Sequence, residues 1–515
     1  MTFLSRSLVI SCSALALSAC GPEDLGSPGS SGDINIGDID NSVNQPAPAP
    51  TPTPGAGVQP ASGCPTIGSD AVVDSGTITG PTGTYRVCTL PSVFSESATL
   101  PYVEGVLYAM NGRVDIGTDG GPLPDASDGI TGTSATLTIQ PGVIIYGATG
   151  RSYMVSQRGS QLVANGTADR PIVFTSRDNV LGLNNNSSSQ QWGGVVLLGR
   201  APVSDCSSGT PSSDKVACQQ ELEGALSPPS FGGPTATDTS GSLSYVQIRY
   251  SGFTLASGSE LQSLTTGGIG SGTRISYVQS FNSSDDGVEL FGGSPKLDHF
   301  IVVGSEDDSF DIDTGAKADI QYSLVVQRDG SGDNALELDS PDTDFDFTAL
   351  PRSNAQFTNF TFIAQGSGTQ AIRARGQADL NMSNGIIVKN GNCARVDEED
   401  DAAAGSRPEE LGPPMFNSVL FACNVAAGSA VEGYINAGTN NQIGYTPTLT
   451  NLFVNGATED GAAVYDPTAL SSFFVAPSFV GTAQSGSTWY QGWTCNSATV
   501  NLGGGSSCLS LPVYN

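Results

Sequence analysis

Carboxylates recur in register near the middle of this sequence. In SSDDGVELFGG, SEDDSFDIDTG and SGDNALELDS, Asp285 recurs as Asp307 and then again as Asp333, at nearly equal intervals. Residues 285–346 hold 17 acidic and three basic side chains, so that 17 − 3 = 14 of the 30 net negative charges lie in this segment. Such a cluster has two chemical uses: it can hold a cation or supply acids and bases for catalysis.

Stacked carboxylates repel one another, by roughly 1 kcal/mol per pair at this spacing in water and about 3.5 kcal/mol at an effective dielectric constant of 20. Splaying into solvent, protonation or a bound cation relieves this repulsion. Calcium suits clustered oxygen ligands. The sequence predicts a calcium site built from Asp285, Asp286, Glu289, Asp307, Asp308, Asp311 and Asp313. The alternative, a solvated acidic face whose Asp and Asn side chains hydrogen-bond turn backbone, stays open.

The elements that position these acids read as short strands. Runs such as VIIYG, YSLVVQ and FTFIAQ are separated by polar or Gly-rich turns, and their spacing leaves no room for intervening helices. A sandwich or a propeller fits the strand content alone, but a period of about 22 residues predicts an all-β, right-handed parallel β-helix. In such coils, about 4.8 Å apart, Val288, Phe310 and Leu336 point inward, and Glu289 and its equivalents point outward.

Several segments resemble a known family. QWGGVVLLGRAPV, GSLSYVQIRYSG, SDDGVELFGG and EDDSFDIDTG, within matching segments spread over about 135–495, are similar to exported bacterial proteins with a pectate-lyase-like parallel β-helix, a functionally uncharacterised family. We expect a β-helix domain at 64–454, with an N-terminal cap. We expect 455–515 to cap the other end, with Trp489, Tyr490 and Trp493 over the open coil, although such a cluster can also stack on sugars.

Arginines follow the last acidic repeat, in TQAIRARG. Aligning Ile372 with Leu336 places Arg373 over Glu337 and Arg375 over Asp339, where the two cations end the repulsive ladder. Polysaccharide lyases and hydrolases of this architecture have an active face of acids and an arginine. That resemblance makes Asp286, Asp308 and Arg373 the catalytic candidates if the chain is an enzyme.

The hydrolase pattern is incomplete in this chain. Inverting hydrolysis needs two carboxyl groups about 6.5–9.5 Å apart, which neighbouring coils can supply. The one histidine, His299, lies in KLDHFIVV and reads as a packed or hydrogen-bonded strand residue. No G-x-S-x-G nucleophile elbow is present, which argues against a serine triad.

The N-terminus predicts export and lipidation. Arg6 precedes an apolar run that is too short to span a bilayer, and the run ends in Leu17-Ser18-Ala19-Cys20, which resembles a bacterial lipobox. We expect 1–19 to be a signal peptide and Cys20 to carry the lipid. The residues after Cys20 favour the outer membrane by the same resemblance, and an ordinary signal peptide is the alternative. The Pro-, Gly- and Ser-rich residues 20–63 read as a tether.

Eight further cysteines belong to an oxidising compartment. Their spacing suggests four local disulfides, Cys64–Cys88, Cys206–Cys218, Cys393–Cys423 and Cys495–Cys508, although sequence cannot fix the connectivity. The absence of CxxC and the single histidine argue against a zinc site.

The composition limits the partners. The 20 basic and 50 acidic residues argue against nucleic acid as a partner, because binding of its phosphate backbone requires Lys and Arg. We expect a lipid-anchored protein whose β-helix binds an extended ligand, either a glycan or an envelope protein. A polysaccharide lyase or hydrolase and a structural or adhesion element of the envelope are the alternatives. The incomplete catalytic set favours binding over catalysis.

Overall fold

The computed structural model describes residues 57–69, 72–208, 218–223, 227–255, 260–340, 349–397 and 402–514. The predicted signal peptide, Cys20 and most of the predicted tether lie outside these residues. Within the described ranges, no helix is long and apolar enough to cross a membrane.

Strands account for most of the regular structure. Strands β1–β12 are Val73–Gly80, Gly83–Thr89, Val93–Phe94, Ala98–Leu100, Val106–Met110, Arg113–Ile116, Thr136–Ile139, Ile144–Gly147, Tyr153–Ser156, Gln161–Asn165, Ile172–Ser176 and Gly194–Leu198. Strands β13–β29 are Gln220–Glu221, Ser230–Phe231, Gly241–Arg249, Leu264–Gly267, Arg274–Phe281, Val288–Phe291, Lys296–Val303, Phe310–Asp313, Lys317–Val326, Leu336–Leu338, Asn354–Ile363, Gln370–Ala374, Asp379–Val396, Met415–Asn424, Gln442–Ile443, Cys495–Asn496 and Ser506–Ser507. The helices are α1 (Arg177–Leu181), α2 (Ala430–Ala437), α3 (Ala457–Asp460) and a 3₁₀ helix (Pro467–Ala469).

The strands form a solenoid with three sides, which confirms the all-β parallel β-helix. Side A contains β4, β7, β10 and the first halves of β15, β17, β19, β21, β23, β25 and β26. Side B contains β2, β5, β8, β11 and the next part of the same long strands. Side C contains β3, β6, β9, β12, β16, β18, β20, β22, β24 and the end of β25. The pairs along all three sides are parallel, whereas β1 pairs with β2 in an antiparallel hairpin.

The predicted register of side C is correct. Val288 pairs with Phe310, which pairs with Leu336, and this last residue pairs with Ile372. These four side chains are fully buried, as expected of an inward ladder. Burying each large apolar side chain contributes about 1.5–3 kcal/mol, so the ladder stabilises the coil that presents the acids.

A left-handed residue marks the bend between sides A and B. The bend residue has φ between 51° and 59° in seven successive long strands, at Tyr245, Tyr277, His299, Tyr322, Asn359, Asn384 and Ser418. Residues other than glycine seldom adopt this conformation. The four rings in the column stack at 4.5, 4.4 and 4.8 Å between centroids, so contact between the rings of successive coils stabilises the bend.

All four predicted disulfides are present. They join Cys64 to Cys88, Cys206 to Cys218, Cys393 to Cys423 and Cys495 to Cys508, with Cα–Cα distances of 4.9–5.6 Å. The partners of each pair are close in sequence, so the staples are local.

The C-terminal region packs differently from the predicted end cap. Helix α2 covers the end of the core, where Tyr434 and Ile435 join the main apolar cluster. Residues 465–514, which we call the strap, instead run back along the bend between sides A and B. Gln321 donates to the Val475 carbonyl at 2.8 Å, Gln279 to the Cys495 carbonyl at 3.1 Å, and Tyr514 to the Pro171 carbonyl at 2.8 Å. The prediction of 455–515 as an end cap is therefore corrected: the strap buries the ring column along the side.

Candidate metal- and ligand-binding groove

The acidic repeats meet on the outer face of side C. Glu289 pairs with Asp311, Asp311 with Glu337, and Glu337 with Arg373, which is the predicted alignment. The turn before each of these strands brings in the preceding acids. In the first turn, a Cβ on Gly287 would lie 2.3 Å from Val302 Cγ1, so only glycine fits there and the Asp-Asp pair is held tightly against the coil.

These residues line a groove of about 460 Å³. Acids make up all but two of its lining residues. The lining consists of Glu223, Glu260, Asp285, Asp286, Glu289, Asp307, Asp308, Asp311, Asp313, Asp333, Glu337 and Asp339, together with Gln262 and Arg375. All seven residues of the predicted metal site line the groove, so the repeat pattern brings together side chains from successive coils that are well separated in sequence.

The second acid of each pair also holds the coils in register. Asp286 Oδ1 accepts the Asp308 backbone N–H at 2.9 Å, and Asp308 Oδ1 accepts the Asn334 N–H at 2.5 Å. In the next coil the Asn334 Oδ1 accepts Gln370 Nε2 at 2.7 Å. Hydrogen bonding of Asp to turn backbone, the alternative considered from the sequence, is therefore present at these two buried residues. It occupies one oxygen of each carboxylate.

Three groups of three carboxylates have a spacing that suits a metal ion. Within each group, one oxygen from each residue lies within 4.8 Å of the other two. The groups are Asp285, Asp286 and Asp307; Asp286, Glu289 and Asp311; and Asp307, Asp308 and Asp333. Two oxygens bound to one Ca²⁺ at about 2.4 Å are at most about 4.8 Å apart. The spacing of each group therefore suits shared coordination of one ion.

Burial and mutual repulsion disfavour the charged forms of these acids. Burial, followed by the charge of Glu260, raises the pKa of Asp285 to about 7. Burial first, and then neighbouring carboxylates, raise the pKa of Asp286, Glu289, Asp308 and Asp311 well above the usual values. The Asp311 Oδ1 atom is buried and has no hydrogen-bond partner among the described residues.

One arginine closes the groove, and it differs from the catalytic candidate. Arg375 Nη2 lies 2.9 Å from Glu337 Oε1, and its Nε lies 2.8 Å from Asp339 Oδ2. Arg373 is in register over Glu337, but its guanidinium lies 3.4 Å from Asp397 and does not line the groove. Strand β24 ends at Ala374, so Arg375 lies beyond the strand, where its side chain reaches two coil positions. Of the three catalytic candidates, the groove contains Asp286 and Asp308 but not Arg373.

Three groove residues were not predicted. Glu223, Glu260 and Gln262 precede the repeats and carry no matching spacing, so the sequence gives no signal for them. His299 lies on the other side of the solenoid. Its ring stacks between Tyr277 and Tyr322, and its Nδ1 is 2.7 Å from Asp298 Oδ1, so it is a packed strand residue.

The fold is that of a pectate-lyase-like β-helix. Residues 126–494 match the sequence model of a protein family described as 'Pectate-lyase like beta helix domain'. The chain therefore belongs to this family. No curated protein and no solved structure matches the chain. A domain of this class is consistent with a glycan-binding or polysaccharide-active role.

Proposed function

We propose that the groove binds calcium and, through the calcium, an extended carbohydrate ligand. The observation that carries the proposal is the set of three carboxylate groups whose oxygens lie within 4.8 Å of one another. The donors are hard oxygen atoms, which Ca²⁺ prefers. Asp311 belongs to the second group, and its buried Oδ1, which has no hydrogen-bond partner among the described residues, can coordinate an ion.

Charge balance supports a cation in the groove. Twelve acids face one arginine there, and that arginine already pairs with two of the acids. Without a cation the groove repels any ligand that carries carboxylate or sulfate groups. A bound Ca²⁺ reverses this, because its remaining coordination positions accept hydroxyl or carboxylate oxygens of a sugar.

Binding fits the geometry better than cleavage does. Within each of the three groups, the carboxylate oxygens lie within 4.8 Å of one another, which suits one shared ion and is shorter than the separation of about 6.5–9.5 Å between the two carboxyl groups of an inverting hydrolase. Arg375, held by Glu337 and Asp339, is poorly placed to accept a proton. Binding of an envelope protein in place of a glycan is one outcome of the test.

A polysaccharide lyase or hydrolase is the second candidate, and the arginine at the end of the acidic row favours it. Its residues would be Asp286, Asp308 and Arg375, with Arg375 replacing the Arg373 suggested by sequence. A structural or adhesion element of the envelope is the third.

One experiment separates these functions. The full chain is stripped of metal, titrated with Ca²⁺ by calorimetry, and then incubated with a polysaccharide panel with and without calcium. We expect calcium binding, and calcium-dependent retention of a glycan without release of products. Asp311→Asn should weaken calcium binding at least tenfold, whereas the control Asp125→Asn, at an exposed loop position outside the groove, should not.

Each other result has a stated meaning. Absence of calcium binding, or equal affinity in Asp311→Asn, overturns the metal site. Product release that is lost in Arg375→Ala establishes the enzyme. Retention of an envelope protein but no glycan changes the ligand class, and neither retention nor cleavage leaves the structural element.

Anchoring at the outer membrane is a separate part of the proposal. It rests on the LSAC sequence at 17–20 and on Gly21 and Pro22, which follow Cys20 where a retained lipoprotein would carry Asp. Acyl chains on Cys20 would insert in the membrane, each buried methylene contributing about 0.8 kcal/mol. Metabolic labelling with a fatty acid tests the lipidation of Cys20. We expect label in the wild type and none in Cys20→Ser, and an unlabelled wild type would refute lipidation.

A further inference from the structure

A second pocket lies on side A, away from the acidic groove. Its volume is about 380 Å³, and the solenoid and the strap both contribute to its walls. Strands β17 and β19 supply Arg274, Ser276, Lys296 and Asp298, and the strap supplies Ser472 and Phe473. The volume falls in the range of small-molecule sites.

Two cations lie side by side on the floor of this pocket. Ile275 pairs with Leu297, so Arg274 and Lys296, one residue earlier on each strand, face outward on adjacent strands. Like charges in this arrangement are destabilising unless an anion lies near both. Lys296 has such a partner, since its Nζ is 2.9 Å from Asp319 Oδ2. Arg274 is exposed and makes no ion pair with any described residue.

Another pair of cations on adjacent strands of this chain shares one carboxylate, which offsets the repulsion between them. Arg373 pairs with Arg395 on adjacent strands. Asp397 serves both guanidinium groups, at 3.4 Å from Arg373 and 3.0 Å from Arg395. Among the described residues, the pair on side A has no equivalent carboxylate for its arginine, because Asp319 lies on the lysine side, where Ser471 Oγ also donates to it at 2.6 Å.

The remaining lining suits a polar ring. Ser271, Thr273, Ser276 and Ser472 place hydroxyl-bearing residues around the pocket, and Phe473 provides an apolar wall. Lys296 Nζ lies 5.4 Å from the centre of the Phe473 ring, so the wall and the cation are adjacent. The Asp298 carboxylate is engaged by His299 at 2.7 Å.

We propose that this pocket binds an oxyanion, a carboxylate, sulfate or phosphate group, carried on a sugar-sized polar molecule. Arg274 holds the anion through its planar pair of N–H donors, and Lys296 adds a second positive charge. The serine and threonine hydroxyls contact the polar substituents, and Phe473 contacts the ring. The site is independent of the proposed calcium groove and of its ligand.

The test uses the full chain and four probes: inorganic sulfate, inorganic phosphate, glucuronate, and glucose as the neutral control. Binding is measured by calorimetry in the presence of EDTA. We expect glucuronate to bind and glucose not to bind. Arg274→Ala should weaken glucuronate binding at least tenfold and Arg274→Lys should retain part of it. Arg151→Ala, at another exposed arginine, should leave it unchanged.

Phe473→Ala distinguishes an anion carried on a sugar ring from a free inorganic anion. It should weaken glucuronate binding but leave sulfate and phosphate binding unchanged, because only the sugar has a ring to contact. Tighter binding of inorganic anions than of glucuronate, or equal affinity of Arg274→Ala and wild type, would refute the proposal, as would the absence of binding by every probe at millimolar concentration. Thermal melts of each variant check that the fold is intact.

Discussion

Asp286 and Asp308 each do two things with one carboxylate. One oxygen accepts a backbone N–H of the next coil, and the group as a whole adds negative charge to the groove. Substitution can therefore separate the hydrogen bond from the negative charge, because asparagine keeps an acceptor oxygen and carries no charge. Alanine removes both.

Two substitutions of Asp308 should therefore change the free energy of unfolding in opposite directions. In EDTA at pH 8, Asp308→Asn should raise the free energy of unfolding, because asparagine replaces an acid whose charged form is disfavoured by burial and by the neighbouring carboxylates. Asp308→Ala should lower it by about 1–3 kcal/mol, because the Asn334 N–H loses its acceptor. Urea unfolding measures both, and a loss of stability in Asp308→Asn would show that repulsion does not govern this site.

A carboxyl outside the groove predicts a pH dependence. Burial, followed by weaker effects of its neighbours, raises the pKa of Asp379 to about 6, and its Oδ1 accepts the Leu411 N–H at 2.9 Å. The folded state therefore holds the proton more tightly than the unfolded state. This group's contribution to stability is full below about pH 4 and is lost as pH rises through 6.

We expect Asp379→Asn to flatten the pH dependence of the free energy of unfolding between pH 4 and 7, while it keeps the acceptor for Leu411. Urea titrations at several pH values, compared with the wild type, isolate this residue from the groove acids. Identical pH profiles for the two proteins would contradict the assigned shift.

Among the elements, the strap makes an unexpected connection. It is joined to successive coils by side-chain amides at the bend or within two residues of it: Gln279, Gln321, Asn359 and Asn384 each contact its backbone. Buried Gln321 also accepts the Val475 N–H at 3.0 Å, so one side chain satisfies both backbone groups of Val475.

Gln321→Leu should therefore loosen the strap. We expect a lower melting temperature and new proteolytic cleavage near Val475, because two polar backbone groups lose their partners there. Gln161→Leu is the matched control, since Gln161 faces outward on side A without a hydrogen bond to its side chain among the described residues. Equal cleavage in both variants would mean that other contacts hold the strap.

The sequence predicts the elements unevenly, for physical reasons. The register of β18, β20 and β22 follows from apolar and acidic residues that alternate at a repeated spacing, and a one-residue slip would bury the acids. Arg375 pairs with Asp339, as the alignment predicts, whereas the Arg373 guanidinium lies 3.4 Å from Asp397, an acid outside the repeat pattern that the alignment does not include. The course of the strap depends on contacts between residues as far apart as 171 and 514, which no local pattern reveals.

For the whole molecule, net charge of −30 and a groove of twelve acids link stability to the ions in solution. Raising NaCl from 0.01 to 0.5 M shortens the screening length from about 30 Å to below about 10 Å and weakens repulsion between acids. In EDTA the melting temperature should rise with salt. In saturating calcium, the melting temperature at low salt should be higher than in EDTA, and it should rise less as NaCl is added. A salt response that is the same in EDTA and in calcium would show that the ion does not neutralise the groove.

The strap also determines where the folded chain comes back to itself. The Tyr514 ring packs edge-on against Tyr102, 6.1 Å between centroids, and it lines one cavity with Val58. The two extremities of the described fold are thus neighbours, although nearly the whole solenoid separates them in sequence. Joining them through a short linker and opening the chain at the exposed Gly428 would yield a circular permutant with every rung intact.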